Sequence, residues 1–389
     1  MKIVPKIRHN ICLTAHPGGC REQVLEQIDY VRRQPPIEGP QRVLIIGASN
    51  GYGLAARIVS AFSCGAATAG VFLERPGTET RTATVGWYNN VALEQEAQEA
   101  GLVALSVNGD SFSPEVKSAT IDRIQDELGP VDCVIYSIAA PRRIDAETGQ
   151  IYSSVVKPIG QRFCGKTVDM KTGALSDVVA EPATEDEIIE TVKVMGGDDW
   201  MDWISALHER QMLARGAVTV ALSYVGPDIT APIYRDGTMG RAKKDLEATA
   251  EKIQHRFADQ DVRAVISVNK ALVTRASAVI PTVTLYISLL YAVMKRKGLH
   301  EGCIQQMYRL YRDYLYAADP KPLDPDGRIR LDDWEMREDV QSEVAALWQQ
   351  IKDAPSGQVA EIAEFRSEFL RHHGFEMPGV DYDQDVDAL

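Results

Sequence analysis

Tyr234 and Lys243 place a phenol and an ammonium nine residues apart, a pairing that can hand a proton to an oxygen on which negative charge develops. On one continuous helix of about 3.6 residues per turn they would face opposite ways. The intervening Arg235-Asp236-Gly237-Thr238-Met239-Gly240 breaks such a helix. Tyr234 is therefore expected on a loop and Lys243 in the first turns of the helix that follows. There the ammonium would hold ligand hydroxyls and favour the ionised phenol, easing proton donation. Tyr224, at the end of an apolar run, is either a second phenol reaching the same oxygen or a strand-end aromatic packed on the core. A tyrosine and a lysine mean little alone, so the scaffold has to bring them to a ligand.

Arg42 to Gly53, RVLIIGASNGYG, supplies that scaffold. Val43 to Ile46 is a continuous apolar run of strand length, as a parallel strand covered on both faces requires. Gly47, Gly51 and Gly53 follow with G-x3-G-x-G spacing: one for a sharp turn, one for close approach of backbone N–H groups, one for helix packing. Gly47, Ala48, Ser49, Asn50, Gly51 and Tyr52 then line a helix N-terminus aimed at a pyrophosphate. A second strand, Ala67 to Leu73, ends at Glu74, where a dinucleotide fold keeps the carboxylate that accepts from ribose hydroxyls. That carboxylate repels a 2′-phosphate, so NADH is expected rather than NADPH. Arg75 next door is the one residue that could reverse the preference by swinging inward.

Beyond Arg42 the chain alternates strands (42–47, 67–73, 102–107, 131–137) with helices (52–62, near 91–100, 114–128), the signature of right-handed βαβ crossovers. The implied architecture is α/β, a Rossmann-like doubly wound parallel sheet, with ligands at the carboxyl ends of its strands. Asp110 and Ser111 stand at one such end, where Asp110 either contacts adenine or turns the chain and caps the next helix. Ile138 and Ala139 stand at another, small enough for a ribose to lie against backbone. Helices at 185–195, 198–213 and 240–257 and strands at 217–224 and 262–268 complete the core. Trp200 and Trp203, three apart on a helix, read as core.

Three enlargements are expected: a strand-helix extension over residues 1–40 covering a sheet edge, a substrate-site insertion over 141–215 within a catalytic core of 41–316, and a helical tail over 317–389. The insertion holds a hairpin around Glu147-Thr148-Gly149, and Ala278 to Val293 reads as a buried helix able to line an acyl pocket. The extension's helix is expected from about Cys20 to Arg33. His16-Pro17-Gly18-Gly19 would interrupt any earlier start, so Cys12, His16 and Cys20 are not expected to share a face around a metal. His372-His373 in the tail is read as surface.

A net charge of −13, from 42 basic and 55 acidic side chains, argues against nucleic acid or an anionic membrane as partner. The start of the chain lacks a signal-peptide core, no run is long enough to cross a bilayer, and the six cysteines form no C-x-x-C pair. A cytoplasmic protein with reduced thiols and no resident metal is expected.

These residues resemble the FabV-type trans-2-enoyl-CoA and enoyl-acyl-carrier-protein reductases, relatives of the short-chain dehydrogenases. The resemblance runs through TAHPGGC (Thr14 to Cys20), IGASNGYGLA, FLERPGT from Phe72, GWYN (Gly86 to Asn89), YSIAAPRR (Tyr136 to Arg143), the Y-x8-K of Tyr234 and Lys243, and LYISLL followed by HEGCIQQMYRLY. It implies an NADH-dependent monomer of fatty acid biosynthesis that reduces the trans-2 double bond of an acyl group on coenzyme A or an acyl carrier protein. It implies Tyr234 as proton donor and Tyr224 as substrate contact. The cofactor would lie on Gly47 to Tyr52, Leu73, Glu74, Asp110, Ser111, Ile138, Ala139, Lys243, Leu272, Val273 and Thr274. Arg235 stands where the family carries Trp, and Thr284 where it carries Pro, both at positions expected to border the acyl pocket. Arg142-Arg143 and Lys295 to Lys297 could steer a phosphopantetheine carrier. A carbonyl reductase acting on 3-oxoacyl or other substrates, or a NADH sensor without turnover, would use the same scaffold.

Overall fold

The computed structural model describes residues 1–8, 10–274, 281–353 and 362–388. A small hairpin, β1 (Ile7–Arg8) and β2 (Ile11–Cys12), leads into α1 (Pro17–Arg32). The helix starts three residues earlier than expected because Pro17 occupies its first turn, where proline loses no hydrogen bond, and His16 caps it by accepting from the Gly19 N–H at 3.2 Å. Nor does α1 cover a sheet edge. Val24, Ile28 and Val31 are buried in the helical layer that α1 shares with α2 (Gly51–Phe62) and α9 (Cys303–Leu310).

The alternation continues through β3 (Arg42–Ile46), β4 (Ala67–Phe72), α3 (Val85–Glu99), β5 (Ala104–Asn108), α4 (Pro114–Glu127) and β6 (Val131–Tyr136). It resumes with α5 (Glu185–Met195), α6 (Asp198–Glu209), β11 (Leu213–Ser223), α7 (Thr238–Arg256) and β12 (Arg263–Val268). The seven-stranded sheet has the order β13-β12-β11-β6-β3-β4-β5, every neighbour parallel, with β13 (Arg328–Arg330) supplied by the tail. The two-residue repeat of β3 sorts its side chains: Val43 and Ile45 face α2 and α9, while Leu44 and Ile46 join Trp200, Trp203 and Leu246 on the other face. Burying each such side chain is worth roughly 1.5–3 kcal/mol, so the strand carrying the glycine turn is firmly seated on both faces.

Between β6 and α5 the chain forms two hairpins, β7 (Arg142–Ile144) with β8 (Ile151–Ser153) and β9 (Phe163–Val168) with β10 (Leu175–Ala180). Both turn on the same five-residue pattern. Asp145 accepts from the backbone of Glu147 and Thr148, and Asp169 accepts from that of Lys171 and Thr172, with Gly149 and Gly173 at positive φ. β9 packs on α8 (Pro281–Arg296), the helix expected over 278–293, whose expected residues 278–280 lie outside the described residues.

The tail closes over α8. α10 (Glu338–Asp353) and α11 (Ile362–Arg371) bury Val340, Val344, Phe365, Phe369 and Leu370 against Tyr286, Leu289 and Leu290. The tail histidines are not surface residues: His373 is buried with Nδ1 2.9 Å from the Phe369 carbonyl, and half-buried His372 meets the Gln23 amide at 3.0 Å. No helix among the described residues is long and apolar enough to cross a membrane.

Candidate active site

The turn after β3 is built by close approach. At Gly47, φ is +90° and a methyl group would sit 2.4 Å from the Ser137 carbonyl oxygen. A methyl on Gly53 would sit 2.0 Å from the Gly47 carbonyl, so α2 can leave the strand at this angle only without side chains there. Asn50 caps α2 by backbone alone and spends its amide on Glu74 at 3.1 Å, while Ser49 Oγ donates to the same carboxylate at 2.8 Å. The N–H groups opening α2 are thus left without a side-chain cap. Gly86 lets α3 abut the turn, since its methyl would meet Glu74 Oε1 at 2.3 Å. Asn108 clamps the Glu74 backbone from β5 through both its N–H and its carbonyl, and Leu73 lies exposed at the rim.

Asp110 makes the turn itself, accepting from the Phe112 N–H at 3.0 Å, and leaves the capping of α4 to Ser113. The Ser111 and Phe112 carbonyls are held by Lys117 Nζ, itself fixed at 2.6 Å by buried Asp199. Half-buried Ile138 and exposed Ala139 follow β6 at the same edge. The Tyr52 hydroxyl donates to the Lys270 carbonyl at 2.7 Å and ties α2 to the segment after β12. That segment carries Leu272 and Val273, both buried, and Thr274, whose Cγ2 lies 3.6 Å from where a Gly51 methyl would be. Ser223 Oγ, Ser267 Oγ, Asn269 Oδ1 and Asn89 Oδ1 are buried here without a protein partner among the described residues. Uncapped N–H groups, a carboxylate at the end of β4 and polar atoms awaiting partners fit a nicotinamide dinucleotide along this edge. A cavity of about 220 Å3 continues from Asn50 and Gly51 past Lys270 to Val273, with Ile287 and Tyr291 of α8 as its apolar wall.

Tyr234 lies on a turn before α7, as its loop residues require. Its carbonyl accepts from Gly237 and Gly240, and a methyl on Gly240 would sit 1.7 Å from the Arg235 carbonyl oxygen. Its ring is buried edge-on to Tyr224 at 5.1 Å between centroids, and burial pushes the phenol above its ordinary range. Lys243, half-buried on α7, makes no hydrogen bond to that hydroxyl, and burial pulls its ammonium down to about 8 against the opposing pull of Glu247. No described contact lets Lys243 favour the ionised phenol, which burial pushes the other way. Arg235 turns outward to Asp228 at 2.9 Å, and Thr284 is fully buried in α8.

Glu335, which nothing in the sequence pattern singled out, joins the two halves. Its carboxylate accepts from the Ala271 N–H at 2.7 Å, from Tyr286 Oη at 2.7 Å and from Tyr224 Oη at 3.2 Å. The segment after β12 and the tyrosine pair thereby hang on one side chain from the tail.

Family models match three stretches: residues 2–79 the "NAD(P)H binding domain of trans-2-enoyl-CoA reductase", 81–316 the "Trans-2-enoyl-CoA reductase catalytic region", and 323–386 the "Enoyl reductase FAD binding domain". The described residues of the third stretch do not fit a flavin. Phe365, Phe369 and Phe375 are packed in the core around α8, and Arg328, Arg330, Arg337 and Arg371 are each bonded to carboxylates, so neither these rings nor these cations are on offer to a flavin's ring or phosphates. The chain is 53% identical to an enoyl-[acyl-carrier-protein] reductase [NADH] of Flavobacterium johnsoniae, over 100% of this chain and 98% of that one. It is 51% identical to a trans-2-enoyl-CoA reductase [NADH] of Ruminiclostridium cellulolyticum, over 100% and 98%. Among solved structures, trans-2-enoyl-CoA reductase of Clostridium acetobutulicum in complex with NADH superposes with a TM-score of 0.95 at 43% identity, covering 100% of this chain and 98% of the other. With the glycine turn, the carboxylate after β4 and the edge-on tyrosine pair all in place, the chain belongs to the trans-2-enoyl-CoA reductase family.

Proposed function

We propose the following division of labour for an enzyme that reduces the trans-2 double bond of enoyl thioesters with NADH. The observation that carries it is the pairing of buried Tyr234 with half-buried Tyr224 at the carboxyl edge of the sheet, linked through Glu335 to the segment Ala271–Thr274. When bound, NADH supplies the hydride that reaches the β-carbon of the substrate. The Gly47–Tyr52 turn offers backbone N–H groups to the pyrophosphate, Glu74 accepts from the adenosine ribose, and Lys243 holds the other ribose. Asp110, Ser111, Ile138, Ala139 and Leu272 to Thr274 complete the cofactor's bed. Tyr224 meets the thioester oxygen as it gains enolate charge, and Tyr234 delivers the proton that ends at the α-carbon. Burial suits Tyr234 to this work, since a donor must arrive protonated.

We read the chain as a cytoplasmic monomer of fatty acid biosynthesis taking coenzyme A or acyl-carrier-protein thioesters. Of the basic clusters that could steer either carrier, Arg143 is spent on Asp202, Arg296 on Glu343 and Lys297 on Asp339, while Arg142 stays exposed. The test is NADH consumption with crotonyl-CoA against a 3-oxoacyl-CoA, repeated with NADPH. Turnover of crotonyl-CoA with NADH is expected to dominate; faster 3-oxoacyl reduction would replace this reading with carbonyl reduction.

A further inference from the structure

Glu335 is a costly group to bury. It has no solvent exposure, and its three described hydrogen-bond donors come from three different elements: Tyr224 after β11, Tyr286 on α8 and the backbone of Ala271 after β12. The three bonds are unequal. Oε2 takes Ala271 alone at 2.7 Å, whereas Oε1 is shared between Tyr286 at 2.7 Å and Tyr224 at 3.2 Å. Tyr286 is further held by the Gln341 amide at 3.0 Å, and the same amide ties the Glu335 backbone carbonyl at 2.7 Å. Carboxyl, Tyr286 and Ala271 thus form a fixed frame, with the Tyr224 hydroxyl its loosest member.

The direction of the Tyr224 proton then depends on the charge of its partner. An ionised carboxylate only accepts, so Tyr224 must point its proton at Oε1 and has none left for a substrate oxygen. A protonated carboxyl needs an acceptor, and the Tyr224 oxygen is placed to serve, which frees the tyrosine proton to turn outward. We propose that Glu335 is a positioning residue: protonated, it turns the Tyr224 proton towards the substrate oxygen; ionised, it keeps that proton for itself; in both states it anchors Ala271. The proposal rests on the reading of Tyr224 as the contact to the thioester oxygen.

The surroundings allow both charge states at working pH. Burial pushes the Glu335 carboxyl up to about 7; the Ala271 and Tyr286 hydrogen bonds and the Lys270 ammonium pull it down, and Asp332 pushes it further up. Lys270, fully buried and itself pulled down to about 8, is the cation facing the site from the β12 side, with Tyr224, Tyr286 and Asp332 the other titratable neighbours. The tail therefore contributes a proton-sensing side chain to a site otherwise built by the core.

The experiment is the rate at saturating crotonyl-CoA and NADH between about pH 5 and about pH 9, for wild type, Glu335→Gln and Tyr224→Phe. The wild-type rate is expected to fall roughly tenfold across a step near neutrality, the worth of one hydrogen bond to a developing charge. Tyr224→Phe is expected to be slower at low pH and flat through that step, whereas Glu335→Gln, whose amide N–H can only donate towards Tyr224 as the protonated carboxyl does, is expected to stay near the low-pH rate and flat, a pair of results that a merely structural carboxylate would not produce. A flat wild-type profile, or a step that survives in either variant and so belongs to Lys270 or Lys243, overturns the proposal. The amide of Glu335→Gln keeps a single accepting oxygen where Tyr286 and the Ala271 N–H each need one, so the double variant with Tyr286→Phe guards against misfolding. Difference infrared titration of wild type against Glu335→Gln needs no turnover: a protonated carboxyl band titrating near neutrality, shifted in Tyr224→Phe, is expected. A carboxyl that stays ionised throughout overturns the proposal, whereas failure to reduce crotonyl-CoA alone overturns only the reading of the reaction.

Discussion

The tyrosine that should donate the proton and the lysine that should hold the ribose are governed by the same force, desolvation, with opposite results. Burial stabilises the neutral form of each, so Tyr234 keeps its proton and Lys243 is more ready to lose one. Tyr234→Phe is expected to bind NADH as wild type does, followed by quenching or fluorescence titration, while its rate drops roughly 100- to 1,000-fold, the usual cost of one such donor. An unchanged rate would remove Tyr234 from the chemistry. For Lys243 the sign follows from its lowered value of about 8: the ammonium is present below that pH and lost above it. The KM for NADH should therefore climb as pH rises past about 8, and Lys243→Met should be weak and flat across the same range. The sequence could single out both residues, and Glu74, only as candidates, because a tyrosine and a lysine mean little until a glycine turn and a strand-end carboxylate supply a ligand to place them against. Glu335 was not singled out at all. It reaches Tyr224 from 111 positions away and Ala271 from 64, out of a polar stretch whose pattern points nowhere in particular.

Elements built from continuous apolar runs could be read directly, and β3, β4 and β6 lie within a residue of the expected spans. The hairpin of β9 and β10 is not legible in the sequence although Asp169-Met170-Lys171-Thr172-Gly173 repeats the logic of Asp145-Ala146-Glu147-Thr148-Gly149, because its strands alternate too weakly to announce themselves. Buried arginine is another feature that patterning hides. Arg57 on α2 sits fully buried and donates to Asn90, Ser106 and the Leu105 carbonyl, so a charge inside an apolar helix face does the docking. The glycines, by contrast, could be read and also tested. Gly53→Ala puts a methyl 2.0 Å from a backbone oxygen that cannot swing aside, so α2 must shift from the turn. A loss of about 1–3 kcal/mol is expected in denaturant unfolding, together with weaker NADH binding. An alanine variant with wild-type stability and affinity would show that the turn does not depend on this close packing.

At the scale of the whole molecule, the question is whether the tail is an accessory or part of the catalytic unit. Two kinds of contact hold it to α8. On the rim, Arg296 pairs with Glu343, and Lys297 with Asp339 and Glu343, all in contact with water. Inside, Phe365 and Phe369 are buried beside Tyr286 and Leu290, on the helix whose Tyr286 holds Glu335. Exposed ion pairs contribute little once solvation and side-chain ordering are counted, whereas truncating a buried phenylalanine costs about 3–5 kcal/mol. Phe369→Ala should consequently lower the melting temperature well beyond the paired change Asp339→Asn with Glu343→Gln, which is expected to stay within the error of the melt. If Glu335 depends on that packing, Phe369→Ala should also slow crotonyl-CoA reduction at temperatures where the sheet is still folded by circular dichroism. A variant that melts early yet turns over at the wild-type rate below its transition would make the tail a buttress only, with Glu335 held in place by its own hydrogen bonds to Ala271, Tyr224 and Tyr286.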